Sequence, residues 1–172
     1  LIDHGVEPAY LKKFEQKGLI APVYQMPSLP KLAKLATTPL TLNLQQQQAV
    51  QKITRACQQP HYEGFLLNGI TGSGKTEVYL QVMQTVLAQG KQVLILVPEI
   101  GLTPQTRQRF AERFEAQVLM LHSGLNDIIR LDGWQQCRLG YAQIIIGTRS
   151  SVLYPFANLG LIIVDESHDQ SY

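Results

Sequence analysis

From residue 65 onward, short apolar runs alternate with longer amphipathic stretches. The runs are unbroken aliphatic segments, which is typical of strands buried on both faces of a sheet. They are FLLN at 65–68, VLILV at 93–97, VLML at 118–121, IIIG at 144–147 and LIIV at 161–164. Apolar residues at helical spacing between them predict helices over about 75–88, 104–114 and 127–138. This alternation predicts an α/β fold in which helices flank a parallel sheet.

The N-terminal part of the chain has a different pattern. The stretch GVEPAYLKKFEQKGLIAPVYQ predicts one amphipathic helix that begins near Pro8 and ends at Gly18, followed by an extended segment. This order occurs in winged helices, although a helix that simply packs on a neighbour would look the same. Three prolines without sustained periodicity then predict a linker. We therefore expect part of a winged-helix domain at 1–25, a linker at 26–41 and an α/β lobe at 42–172.

Composition constrains location more than function. No apolar run approaches the roughly 18 residues that would span a bilayer, and the opening LIDHGVEPAY does not resemble a secretory leader. Cys57 and Cys137 are far apart, so we expect reduced, packed thiols in a soluble cytoplasmic protein without a membrane partner. The net charge of +2 is too small to predict a nucleic-acid partner without support from motifs.

The clearest motif is GITGSGKT, which matches G-x-x-x-x-G-K-[ST] in full and lies between a predicted strand and a predicted helix. Backbone N–H groups of such a loop bind phosphates, here at Gly69, Thr71, Gly72, Ser73 and Gly74. Lys75 would neutralise the β- and γ-phosphates and Thr76 would bind Mg²⁺. The motif predicts ATP and Mg²⁺ as cofactors; the alternative is a glycine-rich turn of purely structural use.

A pair of carboxylates follows the last aliphatic run. Asp165 and Glu166 come directly after LIIV, and ligands of open α/β sheets bind at the carboxyl ends of the strands. We expect Asp165 to hold Mg²⁺ and Glu166 to orient and deprotonate the attacking water. Asp-Glu alone would suggest only an exposed acidic turn, but the upstream phosphate loop favours a catalytic pair.

Several longer stretches carry a more specific resemblance. They are TGSGKTEVYL, VPEIGLTPQT, LHSGLND, IIIGTRSS and VDESHDQSY, in this order along the chain. The last contains the D-E-x-H form of superfamily 2 helicases, and together they closely resemble the PriA family of replication-restart helicases. The resemblance covers most of residues 42–172 and implies a RecA-like P-loop NTPase lobe.

The resemblance also implies roles for residues outside the phosphate loop. Gln46 would recognise adenine through its amide, although a glutamine at a helix start is otherwise usually solvated. DNA contacts are implied at Thr103, Thr148, Arg149 and Ser150, whose hydroxyl, backbone and guanidinium donors suit phosphates. Without the resemblance, Thr103 followed by proline would simply begin a helix. His168 would couple the ATP and DNA states, or would serve only as a local hydrogen-bond partner.

The excess of basic residues lies in residues 1–45. Lys13 and Lys17, four residues apart, would contact duplex DNA phosphates if the first helix belongs to a winged helix. His122 and Trp134 are interpreted as structural, with Trp134 expected in the core.

Two positions depart from the family pattern. Ser167 stands where a second glutamate is common, and Ile128 with Ile129 replaces residues that are usually polar. The serine removes a charge beside the catalytic pair. The isoleucines predict either an exposed apolar patch or local repacking.

By resemblance, the whole protein would be an ATP-dependent 3′–5′ DNA helicase of replication restart. It would act on forks and single-stranded DNA with primosome proteins and single-stranded DNA-binding protein. We expect its second RecA-like lobe and its zinc-binding cysteines beyond Tyr172, so this chain would bind nucleotide weakly and turn over negligibly. The alternative is a non-catalytic DNA-binding module with a degenerate ATP site.

Overall fold

The computed structural model describes residues 8–21, 34–35, 38–70 and 72–166. The helices are α1 (Pro8–Gln16), α2 (Leu44–Cys57), α3 (Lys75–Ala88), α4 (Pro104–Arg113) and α5 (Asp127–Arg138). The strands are β1 (Lys34–Leu35), β2 (Gln92–Leu96), β3 (Phe114–Glu115), β4 (Val118–Leu121), β5 (Ile144–Gly147) and β6 (Leu159–Val164). Short 3₁₀ helices follow β2 at Glu99–Gly101 and β5 at Arg149–Leu153.

Among the described residues, four strands form one parallel sheet in the order β4-β5-β2-β6. A second, two-stranded sheet pairs β1 with β3 in antiparallel orientation. Helices connect β2 to β4 and β4 to β5, as parallel strands require. The predicted α/β fold is confirmed, and the three predicted helices of the lobe are present within a residue of their expected bounds.

The sheet carries a separate apolar core on each face. On one face, α3 and the α4 residue Phe110 pack against the alternate β2 residues Val93 and Ile95. On the other face, Leu94 and Leu96 pack with the α5 residue Cys137. Both strand faces are therefore buried, which explains the unbroken aliphatic runs in the sequence.

Helix starts follow recognisable capping signals. Asn43 begins α2 with a capping box, in which its side chain accepts from the Gln46 N–H and the Gln46 side chain accepts from the Asn43 N–H. Thr103 caps α4 by accepting from the Thr106 N–H at 3.1 Å, with Pro104 at the first helical position. The structural interpretation of Thr103 is confirmed, and it fixes where the preceding loop meets α4.

The helix predicted near Pro8 is α1, and Gly18 ends it in the left-handed region with a φ of 68°. Lys13 and Lys17 are exposed. The winged-helix assignment of this segment stays a prediction.

Part of the predicted linker is attached to the lobe. A buried ion pair joins Glu77 of α3 to Arg113 of α4 at 2.7 Å, with side chains 11% and 8% exposed. The same Glu77 oxygen accepts from the Leu40 N–H at 3.1 Å and from the Gln81 amide at 2.9 Å. Arg113 also donates to the Thr38 carbonyl at 3.0 Å. Residues 38–40 are thus held against two helices of the lobe.

The predicted strand FLLN is wrong. Residues 62–70 have no strand, and Leu66 and Ile70 are 86% and 83% exposed. A strand exists only with a hydrogen-bonded neighbour, and within the described residues β6 pairs on one edge only, with β2. FLLN therefore has no hydrogen-bonded partner strand among the described residues, despite its aliphatic pattern.

The predicted core position of Trp134 is also wrong, since its side chain is 39% exposed and lies under the Arg138 guanidinium at 5.1 Å. Only Gly133 and Cys137 of α5 are buried, because the helix approaches β4 so closely that a Cβ on Gly133 would lie 3.0 Å from Leu121. This narrow contact leaves the adjacent tryptophan outside. Of the two alternatives for the Ile128-Ile129 departure, the exposed apolar patch is the one observed.

The polar side chain of Gln92 is buried at the amino-terminal end of β2. Gln92 is 1% exposed, and its amide donates to the carbonyls of Cys137 and Ala142 at 3.1 and 2.7 Å. Its side-chain oxygen accepts from the Asn158 N–H at 3.0 Å. The amide therefore links β2 to the segments that precede β5 and β6.

Candidate active site

The strands of the main sheet all have their carboxyl-terminal ends on the same side of the sheet, which we call its carboxyl edge. Leu121, Gly147, Leu96 and Val164 are the last paired residues of β4, β5, β2 and β6, and they lie side by side in that order. The segments that leave this edge carry Thr103, Thr148–Ser150 and Asp165–Glu166. Residues predicted from separate motifs are therefore brought to a common edge, where ligands of open α/β sheets bind.

The glycines of the phosphate loop adopt conformations that other residues avoid. Gly72 and Gly74 have φ values of 78° and 80°, in the left-handed region that turns successive N–H groups toward one side. Lys75 begins α3, and its ammonium donates to the carbonyls of Gly69 and Ile70 at 2.6 and 3.1 Å. This arrangement holds a cation over a loop of N–H donors at a helix N-terminus, which suits phosphate.

Gln46 lies directly against the phosphate loop. Its amide nitrogen donates to the Ser73 carbonyl at 3.0 Å, and its oxygen accepts from the Asn43 N–H at 2.9 Å. A Cβ on Gly74 would come within 2.5 Å of the Gln46 nitrogen. A primary amide has a second N–H and a second lone pair, so both atoms retain capacity for an adenine edge.

Tyr79 connects the phosphate loop to the acidic motif. Its hydroxyl donates to Asp165 Oδ2 at 3.2 Å, and the Thr76 side chain lies beside the same hydroxyl, one helical turn earlier on α3. Burial raises the pKa of Tyr79 to about 12, so the hydroxyl keeps its proton in neutral solution. The two predicted Mg²⁺ ligands, Thr76 and Asp165, therefore both lie beside one phenol, which bonds Asp165 directly.

Glu166 occupies a strained backbone position. Its φ of 51° is the only positive value at a non-glycine residue in the described parts of the chain. Its N–H donates to Asp165 Oδ1 at 3.0 Å, and its side chain is exposed. The turn thus fixes one oxygen of Asp165 and leaves the side chain of Glu166 exposed.

The candidate DNA contacts differ in exposure. Thr148 is buried and its hydroxyl lies 3.2 Å from the Ser150 hydroxyl, whereas Arg149 and Ser150 are exposed. Thr103 is half-buried and serves the α4 cap described above. Thr71 and His168 lie outside the described residues.

The chemistry of these side chains suits Mg²⁺ and a nucleotide. Magnesium prefers a hydroxyl, one or two carboxylates and phosphate oxygens to a cage of protein ligands. In the described ranges, no group of three His, Cys, Asp or Glu residues could hold a metal ion. The pair Thr76 and Asp165 fits a metal that arrives with nucleotide phosphates, and Mg²⁺ would then neutralise developing phosphate charge.

Tyr79 was not predicted from the sequence as a member of this site. A signal was present, because Tyr79 follows Thr76 by three positions and Lys75 by four, which places the three on one face of α3. Its partner Asp165, however, is distant in the sequence. Only the packing of α3 beside β6 brings them together.

Neither cysteine takes part in the site. Both are free, Cys137 is fully buried and Cys57 is half-buried against the α3 core, so the prediction of packed thiols is confirmed. No helix among the described residues is both long and apolar enough to cross a membrane.

Comparisons with known proteins agree with this geometry. The family model described as "Type III restriction enzyme, res subunit" matches residues 39–172. The replication restart protein PriA of Bacillus subtilis is 44% identical over 95% of the chain, and that of Haemophilus influenzae is 53% identical over 77%. The chain spans about a fifth of these relatives, 21% and 18% of their lengths.

A solved structure gives the same result. RecG bound to a three-way DNA junction matches 95% of the chain with a TM-score of 0.67 and 25% identity, and the chain covers 20% of that protein. The RecA-like character of the lobe is thereby supported by fold as well as by sequence. The chain belongs to the family described as the res subunit of type III restriction enzymes, and its predicted resemblance to the PriA helicases is confirmed.

Proposed function

We propose that this chain is the first ATP-binding lobe of an ATP-dependent 3′–5′ DNA helicase that restarts replication in the cytoplasm. The observation that carries the proposal is the bond from Tyr79, one helical turn after Thr76 of the phosphate loop, to Asp165 of the acidic motif. A purely structural glycine-rich turn has no need of a carboxylate held beside it. The PriA relatives, named as replication restart proteins, support the biological role.

In the proposed mechanism, the loop N–H groups and Lys75 bind the phosphates while Gln46 contacts adenine. Thr76 and Asp165 would hold Mg²⁺, which would neutralise phosphate charge, and Glu166 would orient the attacking water and accept its proton. Arginines from a second lobe would stabilise the transferred phosphoryl group. An arginine of this kind is worth about 10³–10⁵ in rate, so this lobe alone is expected to bind nucleotide with negligible turnover.

DNA binding is proposed for the same edge of the sheet. Thr103, Thr148, Arg149 and Ser150 would contact the phosphates of a single strand, and His168 would couple that contact to the nucleotide state. Lys13 and Lys17 would contact duplex DNA at a fork. In the whole protein, primosome proteins and single-stranded DNA-binding protein would be partners, with zinc held by cysteines of another region.

Nucleotide binding is tested first by calorimetry with Mg²⁺-ADP on this chain, on Lys75→Met and on Lys91→Met. The two lysines are matched, since both are half-buried and both donate to backbone carbonyls. Lys91 precedes β2 at the opposite edge of the sheet. We expect at least a tenfold loss of affinity in Lys75→Met only; absence of binding by the unmodified chain would refute the proposed site.

Adenine recognition is tested by the ratio of ADP to GDP affinity. Gln46→Ala should reduce this ratio, whereas Gln47→Ala, which removes an amide bonded only to the Leu42 carbonyl nearby, should leave it unchanged. An unchanged ratio in Gln46→Ala would show that the residue only caps α2 and supports the loop.

DNA contact is tested by fluorescence anisotropy on a single-stranded oligonucleotide over a range of salt concentrations. Arg149→Ala should weaken binding and reduce the salt slope by about 0.7, the value for one phosphate on a single strand. Arg138→Ala, an exposed arginine at the end of α5, is the control. Affinity for DNA that is indifferent to ADP in every variant would instead favour the non-catalytic DNA-binding module.

A further inference from the structure

Tyr79 occupies the centre of the Thr76–Asp165 network and is assigned no role by the sequence motifs. Its hydroxyl donates to Asp165 Oδ2 at 3.2 Å and lies beside the Thr76 side chain. The other oxygen of Asp165 accepts from the Glu166 N–H at 3.0 Å. Each carboxylate oxygen thus has a separate donor, which fixes the rotation of the carboxylate about its side-chain bond.

The position of the phenol is itself fixed. Tyr79 is 9% exposed, and its ring stacks on Phe110 of α4, with centroids 6.5 Å apart and planes 19° apart. Phe110 is 2% exposed and belongs to the core beneath α3 and α4. The hydroxyl is therefore held by packing, whatever its polar partners do.

The direction of the hydrogen bonds matters for a metal ligand. A threonine hydroxyl that binds Mg²⁺ does so through an oxygen lone pair, so its proton must be directed elsewhere. The Tyr79 oxygen can accept that proton while its own proton goes to Asp165. One phenol can therefore prepare both ligands at once, Thr76 by accepting and Asp165 by donating.

We propose that Tyr79 is a positioning residue that orients Thr76 and Asp165 for Mg²⁺, without itself touching the metal or the nucleotide. This inference rests on the proposed nucleotide-binding function. Loss of such an outer partner typically weakens metal binding by about 10- to 100-fold. The phosphate loop and Lys75 do not depend on the hydroxyl, so metal-free nucleotide binding should be preserved.

The test is Tyr79→Phe, which keeps the ring and its stack on Phe110 and removes only the oxygen. Calorimetry would measure ADP affinity in EDTA and across a Mg²⁺ titration. We expect the EDTA affinity to stay within about twofold of the unmodified chain, while the Mg²⁺ concentration for half-maximal effect rises about tenfold or more. Tyr141→Phe is a matched control, because Tyr141 is also 9% exposed but precedes β5 at the amino edge.

Three results would overturn the inference. An equal loss of affinity with and without Mg²⁺ would indicate a general structural role, and an unchanged Mg²⁺ requirement would indicate none. The third is a Tyr79→Phe effect that persists at full size in an Asp165→Asn background, since the phenol would then act by another route. Failure of the unmodified chain to bind ADP at all would overturn the proposed function instead, and this inference with it.

If Tyr79→Phe lowers the unfolding temperature, the titrations are compared at a temperature at which circular dichroism shows every variant folded. Thr76→Val provides a second approach, since it removes the threonine hydroxyl that the phenol is proposed to orient. Thr76→Val should raise the Mg²⁺ requirement, and adding Tyr79→Phe should raise it little further. This result would support the view that Tyr79 acts through Thr76. Fully multiplicative effects would contradict it.

Discussion

Replacement of Arg113 by methionine should destabilise the lobe substantially, because it leaves Glu77 buried without its cation. The pair is 2.7 Å apart and nearly enclosed, with side chains 8% and 11% exposed. Removing one partner of a buried ion pair costs about 3–5 kcal/mol. Glu77 would keep the Leu40 N–H and the Gln81 amide as donors, so we expect a loss near the lower end, about 3 kcal/mol.

The measurement is urea unfolding of the chain followed by circular dichroism. With a slope of about 2 kcal/mol per molar urea, the expected loss corresponds to a midpoint lower by about 1.5 M. Asp127→Asn is the control, since its pair with Arg130 is 3.3 Å apart with side chains 96% and 49% exposed. Breaking such a surface pair should change the midpoint little.

A double-mutant cycle then separates the pair from its surroundings. Glu77→Gln combined with Arg113→Met should cost less than the sum of the single changes, because neither residue is left as an unpaired buried charge. A midpoint change in Arg113→Met no larger than that of Asp127→Asn would refute the reasoning. It would mean that the ion pair does not hold α3, α4 and residues 38–40 together.

Three further predictions concern other parts of the lobe. Gly147→Ala should lower the melting temperature, because its Cβ would lie 2.8 Å from the Ser151 Cβ and must displace the 3₁₀ helix that follows β5. Ellman's reagent at pH 8 should modify Cys57 slowly and Cys137 only on unfolding. Burial raises the pKa of Cys57 and raises that of Cys137 to about 12, which suppresses the reactive thiolate. Rapid reaction of Cys137 in the native chain would contradict its burial. Ile128→Ser should leave the urea midpoint nearly unchanged and reduce self-association measured by light scattering, because the side chain is 82% exposed.

The strands of the main sheet were predictable because both of their faces are buried. Burial on both sides demands unbroken aliphatic residues, and β4 and β5 were predicted without error at VLML and IIIG. FLLN shows the limit of the same signal. Its residues have the composition of a strand, but strand formation depends on a neighbour elsewhere in the chain, which local pattern cannot reveal.

The candidate site also contains features that local sequence predicts and features that it does not. The phosphate loop and the acidic pair are local motifs, and their residues could be named in advance because their spacing follows from one loop and one turn. The bonds of Gln46 to Ser73 and of Tyr79 to Asp165 depend on how helices pack on the loop and on the sheet. The burial of Trp134 was predicted wrongly for a related reason, because tertiary packing sets how closely α5 approaches β4.

The buried amide of Gln92 bears on the order of folding events. Its three bonds reach residues 45, 50 and 66 positions further along the chain. The bonds to Cys137 and Ala142 require the segment before β5 to dock on β2, and the bond from Asn158 requires the segment before β6, so all three depend on the closure of long loops. A collapsed state with another strand order would bury the amide without partners, at a cost of about 1–3 kcal/mol. One glutamine thus penalises misassembled sheets and favours the native strand order.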